Sequence, residues 1–187
     1  MRRIRMDVIE TEVLIIGAGM AGIAAAIYAH DHGATPLLLT KGAFGRDGAA
    51  TWTAGYGFQS AVEPPDSPEV HAEDTVRTGR YMNNQELVVR LVNGIPRLHR
   101  QLDEWGMKYR KENGKYVMTR FPGSSHPRVP LLQKVGEWVG HEYRRVLIRQ
   151  VSKRHIQVVE DLFAIDFLRS DGEVVGVLGL DLRRGEL

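Results

Sequence analysis

EVLIIGAGMAGIAAAIYAHDHGATPLLLT, residues 12–40, is the segment on which the fold turns. Glu12–Ile16 is a short apolar run with β-branched residues that ends at a glycine loop, as a buried parallel strand does. Met20–His32 is alanine-rich and apolar, predicts a helix, and is closed by Gly33. Pro36–Thr40 is a second apolar run. Strand, helix and strand within about 30 residues make a βαβ unit. Between the first strand and the helix lies Gly17-Ala18-Gly19-Met20-Ala21-Gly22, which fits G-x-G-x-x-G. The first glycine permits the tight turn. The second lets backbone approach a pyrophosphate, and the third lets helix and strand pack closely. The free N–H groups and positive dipole end of the helix then favour phosphate. Such a motif says little alone, but here it follows a predicted strand and opens a predicted helix.

The acid that usually binds ribose at the end of the second strand is missing, and Thr40-Lys41 stands there. A hydroxyl still bonds a ribose. Lys41 either favours a 2′-phosphate, which keeps an NADP-binding oxidoreductase open, or is a solvated surface lysine.

Outward from this unit the chain has little periodicity over 41–68, where glycine recurs at 42, 45, 48, 55 and 57. A long glycine-rich loop in a compact domain is functional or disordered. A short helix is predicted over 69–78. A longer one is predicted over 84–105, with Leu87, Leu91, Ile95, Leu98, Leu102 and Trp105 as its apolar stripe and Pro96 expected to kink or split it. Asn113-Gly114, between Lys108–Tyr109 and Tyr116–Met118, signals a hairpin. Residues 120–134 form a Pro/Gly/Ser loop that carries Ser124, Ser125, His126 and Arg128. Residues 136–152 predict a helix that buries Val139, Tyr143, Val146, Leu147 and Val151. Ile156–Val159, Leu162–Leu168 and Val174–Leu182 predict strands, the last two joined at Asp171-Gly172. Arg183–Leu187 looks like a turn toward another strand, so the sequence is expected to be the front part of a longer fold.

The 187 residues are 43% hydrophobic and 26% charged, with a formal net charge of +2. This describes a globular domain with no electrostatic case for nucleic acid. Without cysteine the chain holds no disulfide, thiol nucleophile or cysteine-ligated cluster. No stretch reaches the ~20 apolar residues of a membrane span, and the N-terminus has no signal-peptide core, which makes cytoplasmic the default expectation. The histidine spacing predicts no metal site. Asp103-Glu104 reads as a solvated helix face. The basic run Arg144, Arg145, Arg149, Lys153 and Arg154 reads as dipole compensation at a helix C-terminus, or as a contact for an acidic partner subunit.

KGAFGRDGAATWTAGYGF at 41–58 resembles the flavin-wrapping segment of the succinate dehydrogenase/fumarate reductase flavoprotein family, which includes L-aspartate oxidase. That family commonly has a Ser- or Thr-Lys pair in place of the ribose acid, then a Gly-Arg-Ser-Gly-Ala-like run and further glycines against the isoalloxazine. The matching positions are Thr40, Lys41, Gly45, Arg46, Gly48, Ala49, Thr51, Gly55 and Gly57. HAEDTVRTGRYMNNQELVVRLV at 71–92, LDEWGMKYR at 102–110, SSHPR at 124–128 and GHE at 140–142 are similar to further family segments. So is 162–187, where Phe163 and Ala164 would meet the adenine. The resemblance implies FAD as cofactor, with its pyrophosphate at Gly17, Gly19, Met20, Ala21 and Gly22. It also implies flavin-dependent oxidoreduction, with hydride exchange between flavin and a small dicarboxylate such as succinate, fumarate or aspartate.

The sequence departs from the family pattern in three places. No histidine stands in Asp47-Gly48-Ala49, so FAD is expected to be non-covalent. Val139 replaces the usual threonine before Gly140. The capping domain, its proton-donating arginine and the closing FAD segment are not in this sequence, so activity of this chain alone is open. His126 and Arg128 either bind a dicarboxylate or only hydrogen-bond the loop backbone. His141 either faces the flavin cleft or sits on a helix surface, and Trp52 and Tyr56 pack on the flavin or against the missing part.

The expected fold is α/β: a Rossmann-like FAD-binding core with inserted helices and a β-hairpin, capping domain absent. Its expected organisation is one partial FAD-binding domain, 1–187, with a βαβ unit at 12–40, a flavin loop at 41–60, a helical insertion at 69–152 and a β-hairpin region at 155–187. A truncated or split, non-catalytic FAD-binding module completed by another chain is the reading from a different functional class. A partner subunit would then supply the rest of the fold or an electron relay.

Overall fold

A Cβ on Gly22 would lie 1.9 Å from the Gly17 carbonyl oxygen, so the helix after the glycine motif meets the strand before it only through glycine. The computed structural model describes residues 7–46, 48–53, 57–133 and 139–187. Strand β1 (Val13–Ile16), helix α1 (Met20–Asp31) and strand β2 (Pro36–Leu39) follow in the expected order. β1 and β2 are parallel, with Ile16 opposite Leu39. α1 buries Ile23, Ala26 and Ile27, the i, i+3, i+4 positions of one face, and Gly33 leaves the helix at φ +89°.

The chain divides into two compact units, Met1–Trp52 with Leu147–Leu187 and, separately, Thr53–Val146. In the first, β7 (Gln157–Val159) pairs in parallel with β2, giving the sheet order β1-β2-β7. β2 is central and all four of its residues are buried, which is why it reads as an unbroken apolar run. β8 (Leu162–Ser170) and β9 (Glu173–Asp181) form an antiparallel hairpin. Its turn, Asp171-Gly172, has φ of +50° and +86°, the left-handed pair that a tight two-residue hairpin requires.

The second unit carries α2 (Pro68–Thr78) and α3 (Gln85–Glu104). Both start at a side-chain cap: the Ser67 hydroxyl accepts from Val70 N at 3.3 Å and the Asn84 carboxamide from Leu87 N at 3.1 Å. α3 departs from its expected buried face. Pro96 does not split it, and the helix is continuous for 20 residues. Its buried positions are Val88, Val92, Ile95, His99 and Leu102, whereas Leu87, Leu91 and Leu98 are exposed. At 3.6 residues per turn the five buried positions span an arc of roughly 80°, centred on Val88 between Ile95 and His99. The exposed leucines lie beyond its edge. A histidine counted as polar hid that centre.

The hairpin at Asn113-Gly114 is shorter than expected, pairing β3 (Lys111–Glu112) with β4 (Lys115–Tyr116). The Pro/Gly/Ser loop is not wholly irregular. β5 (Met118–Thr119) pairs with β6 (Val129–Pro130), whose two residues are buried. Helix α4 (Val139–Lys153) contains the boundary between the units, and Val139, Tyr143, Val146, Leu147 and Val151 are all buried as its spacing predicts.

Candidate cofactor site

In the first unit the cleft forms where β1 and β2 end. Gly17 turns at φ +101°, a conformation that only glycine adopts without strain. Gly19 is the N-cap of α1. Among the described residues no side chain caps this end and no acid lies in its first turn, so the N–H groups of Met20, Ala21 and Gly22 have no side-chain acceptor there. A Cβ on Gly19 would meet nothing within 4 Å. Gly22 is fixed by contact within the protein and Gly19 is not, so the space over Gly19 is available to a ligand. A helix N-terminus left open in this way attracts phosphate.

The cleft, of about 290 Å³, has three walls. Ile16, Gly17, Ala18 and Gly19 form the first; Leu39, Thr40, Lys41 and Gly48 the second; Leu162, Phe163 and Ala164 the third. Gly48, at φ +98°, stands with its own Cβ position 3.9 Å from Gly19 Cα, so the glycine loop reaches back over the helix start. Thr40 ties the second wall to the third: its N–H donates to the Val159 carbonyl at 2.9 Å and its carbonyl accepts from Leu162 N at 3.1 Å. Phe163 is about half exposed, an apolar face turned to solvent at the rim.

Seven of the positions expected to bind cofactor therefore share one cleft: Gly17, Gly19, Thr40, Lys41, Gly48, Phe163 and Ala164. Met20, Ala21 and Gly22 begin the helix behind it. Gly45 is buried at φ +71°, Arg46 is exposed, and Ala49 opens a short 3-10 turn, Ala49–Trp52. Gly55, Tyr56 and the side chain of Thr51 lie outside what is described, as does Asp47. Gly57 belongs to the second unit, where its Cβ would lie 2.9 Å from the Tyr143 hydroxyl.

The second unit holds further candidates. Arg128 is 1% exposed. Its Nε donates to Asp66 Oδ2 at 2.9 Å and its Nη2 donates to Asp66 Oδ1 at 2.9 Å and to Asp74 Oδ2 at 2.8 Å. Two internal carboxylates take its Nε–Nη2 edge, while Nη1 is buried with no hydrogen-bond partner among the described residues. Asp74 also accepts from Ser125 N and Ser125 Oγ, both at 2.6 Å, and from Arg77. Burial alone would raise its carboxyl, but the Ser125 donors and Arg128 outweigh burial and hold it below the usual carboxylate range. The loop is thus pinned at 125 and 128 to one carboxylate, with half-buried His126 between. His141 is on the exposed side of α4.

Sequence reasoning also missed an aromatic cluster. His99 stacks on Tyr109 with centroids 4.3 Å apart and meets Tyr116 edge-on, and Ser60 Oγ lies 2.9 Å from His99 Nδ1. Burial pushes the imidazole down to about 4, so it is neutral at pH 7. Asp103 corrects another expectation: Lys111 Nζ at 2.5 Å and the Tyr116 hydroxyl at 2.7 Å both donate to it, so it is not simply a solvated carboxylate. In the basic run, Arg154 makes a two-point pair with Asp31 and Arg145 pairs with Glu142. Among the described residues no group of three or more His, Asp or Glu could hold a metal, and no helix is long and apolar enough to cross a membrane.

Comparison with known proteins finds similarity along most of the chain. A fumarate reductase (CoM/CoB) subunit of Methanothermobacter marburgensis is 35% identical over 184 residues, covering 96% of this chain and 33% of that protein. The L-aspartate oxidase of Streptomyces coelicolor is 30% identical over 171 residues, covering 90% and 29%. Among solved structures, the Mycobacterium smegmatis Sdh1 complex matches with a TM-score of 0.79 at 30% identity, over 90% of this chain and 30% of that one. An E. coli quinol fumarate reductase variant matches with 0.82 at 27%, over 94% and 30%. The chain thus spans about a third of the length of these relatives. The FAD binding domain family matches residues 12–187. The α/β chain therefore belongs to that family, is of the succinate dehydrogenase/fumarate reductase flavoprotein type, and takes FAD as its cofactor.

Proposed function

We propose that this chain is the cofactor-holding part of a flavin-dependent oxidoreductase that exchanges a hydride with a small dicarboxylate or a related substrate. The observation that carries this reading is the start of α1, without a side-chain cap among the described residues, over which Gly48 stands so that a Cβ added to it would lie 3.9 Å from Gly19 Cα. The residues present fit the cofactor. Gly17, Gly19 and the N–H groups of Met20, Ala21 and Gly22 would hold the pyrophosphate. Thr40 or Lys41 would bond the ribose, and Phe163 and Ala164 would lie along the adenine. The loop with Gly45, Arg46, Ala49, Thr51, Gly55 and Gly57 would carry the flavin end. Bound flavin supplies the hydride chemistry, while this chain binds and orients it. His126, on its pinned loop, and His141 are the side chains we assign to the substrate side. FAD is held without a covalent bond, since Asp47-Gly48-Ala49 supplies no histidine.

The test is the absorption spectrum of the chain after reconstitution with FAD. A flavin band that remains with the native protein, and is released to the supernatant on acid precipitation, is expected. No retained band would overturn the assignment, and flavin in the acid pellet would overturn the non-covalent attachment.

A second reading is favoured by the chain's covering about a third of its relatives. Here 69–152 is a helical insertion in a partial FAD-binding domain, in the cytoplasm, completed by a partner subunit or another chain. Succinate–fumarate or aspartate turnover by the purified chain alone would sink it.

A further inference from the structure

The acid missing from the end of β2 has a counterpart one strand away. β2 and β7 are parallel with Leu39 opposite Val159, so the next residue on each strand, Thr40 and Glu160, leaves the sheet at the same level. Glu160 is exposed and does not line the cleft. Its Oε1 instead accepts a hydrogen bond from the backbone N–H of Phe44, 116 residues earlier in the chain. Phe44 lies between Lys41 and Gly48, the two loop residues that wall the cleft. Two residues further on, the Arg46 N–H bonds locally, to the Ala43 carbonyl. Gly45, next to Phe44, is buried at φ +71°, so the chain turns sharply where Glu160 grips it. The Val159–Leu162 turn therefore holds the cofactor loop at two places, through the Thr40 backbone and through the Phe44 N–H.

From this geometry we infer that Glu160 is a positioning residue for FAD binding: its carboxylate fastens the loop that follows Lys41, at Phe44, beside the cleft without touching the cofactor. A loop fixed before binding does not have to be ordered by the ligand, and that saving appears as affinity. The bond needs an acceptor rather than a charge, so a carboxamide largely replaces it. The inference rests on the assignment of FAD to this cleft.

The experiment compares the wild-type chain with Glu160→Ala and Glu160→Gln by three measurements: FAD dissociation constant from flavin fluorescence, thermal midpoint without FAD, and amide exchange at Phe44. Glu160→Ala is expected to weaken FAD binding roughly 5- to 10-fold, the usual worth of one such bond, and to speed exchange at Phe44, with the midpoint almost unmoved. Glu160→Gln is expected to stay within about threefold of wild type, since the acceptor remains. Unchanged FAD affinity in Glu160→Ala overturns the inference, as does an equal loss in both variants, which would make charge the cause. Unchanged exchange at Phe44 also overturns it. If the wild-type chain binds no FAD, the cofactor assignment fails with it. Faster Phe44 exchange in Glu160→Ala would still show that the loop is fastened, so the two failures are distinguishable.

Discussion

The glycine cleft of the first unit and the Arg128 core of the second solve opposite problems. The cleft works by leaving groups out: among the described residues Gly19 lacks a side chain where there is no neighbour within 4 Å, and α1 lacks a side-chain cap. The core works by bringing counter-charges in, with Asp66 and Asp74 meeting one buried guanidinium and Ser125 completing Asp74. Both contain conspicuous polar groups. Of the two, only the cleft sets N–H groups without a side-chain cap, among the described residues, before open space. A buried arginine is thus a poor marker of a binding site when its partners are internal, whereas an open helix start is a good one.

The largest expected effect falls on the core. Arg128→Ala leaves the buried Asp66 carboxylate without its cation and Asp74 with only the half-exposed Arg77, and should cost about 3–5 kcal/mol, read as a lower denaturant midpoint. A near-neutral result would mean that the carboxylates reach water and that the core resembles the cleft. Gly22→Ala should cost about 3 kcal/mol or more, because its Cβ falls 1.9 Å from the Gly17 oxygen and backbone must move. Chemical denaturation checks it, and a well-folded variant would show that the β1–α1 approach relaxes easily.

Acid should act on the second unit through His99. Its folded pKa of about 4 lies below the ordinary 6.5, so the unfolded chain binds more protons between these values. Stability therefore falls as pH drops from about 6.5 to about 4, by about 3 kcal/mol in total. Asp74, also held low, acts in the same direction as pH falls further, through its folded value. Thermal midpoints across this range should slope downward toward acid, and His99→Gln should flatten the slope. The smallest effect on folding is expected at Gly19→Ala, about 0.5 kcal/mol at an N-cap. FAD affinity should nevertheless drop about tenfold, roughly 1.4 kcal/mol. Loss of stability without loss of affinity would reverse the contrast with Gly22.

Much of the first unit was legible from residues 12–40, because strand, turn and helix there are local and each glycine has a local reason. The Thr40-Lys41 pair and the Gly48 loop were legible only through resemblance. Glu160 was not legible at all, since nothing local marks a carboxylate that grips a backbone N–H 116 residues away. In the second unit the α4 stripe was read correctly, while α3 was read by its leucines and not by its buried His99. Histidine joins an apolar face only when burial and ring partners keep it neutral, which spacing does not reveal.

Local sequence was enough for the βαβ unit, for the turns at Asn113-Gly114 and Asp171-Gly172, and for the fate of each glycine in the phosphate motif. These depend on backbone sterics within a few residues. Long-range packing settled which charges are spent internally. Arg128, His126 and Lys41 look alike in the chain as polar residues in loops. Arg128 meets Asp66 and Asp74 across more than 50 positions, Lys41 faces an open cleft, and His126 is held between two pinned neighbours. Whether a charge binds a ligand or holds the fold depends on which distant groups reach it first, and only the folded chain sets those distances.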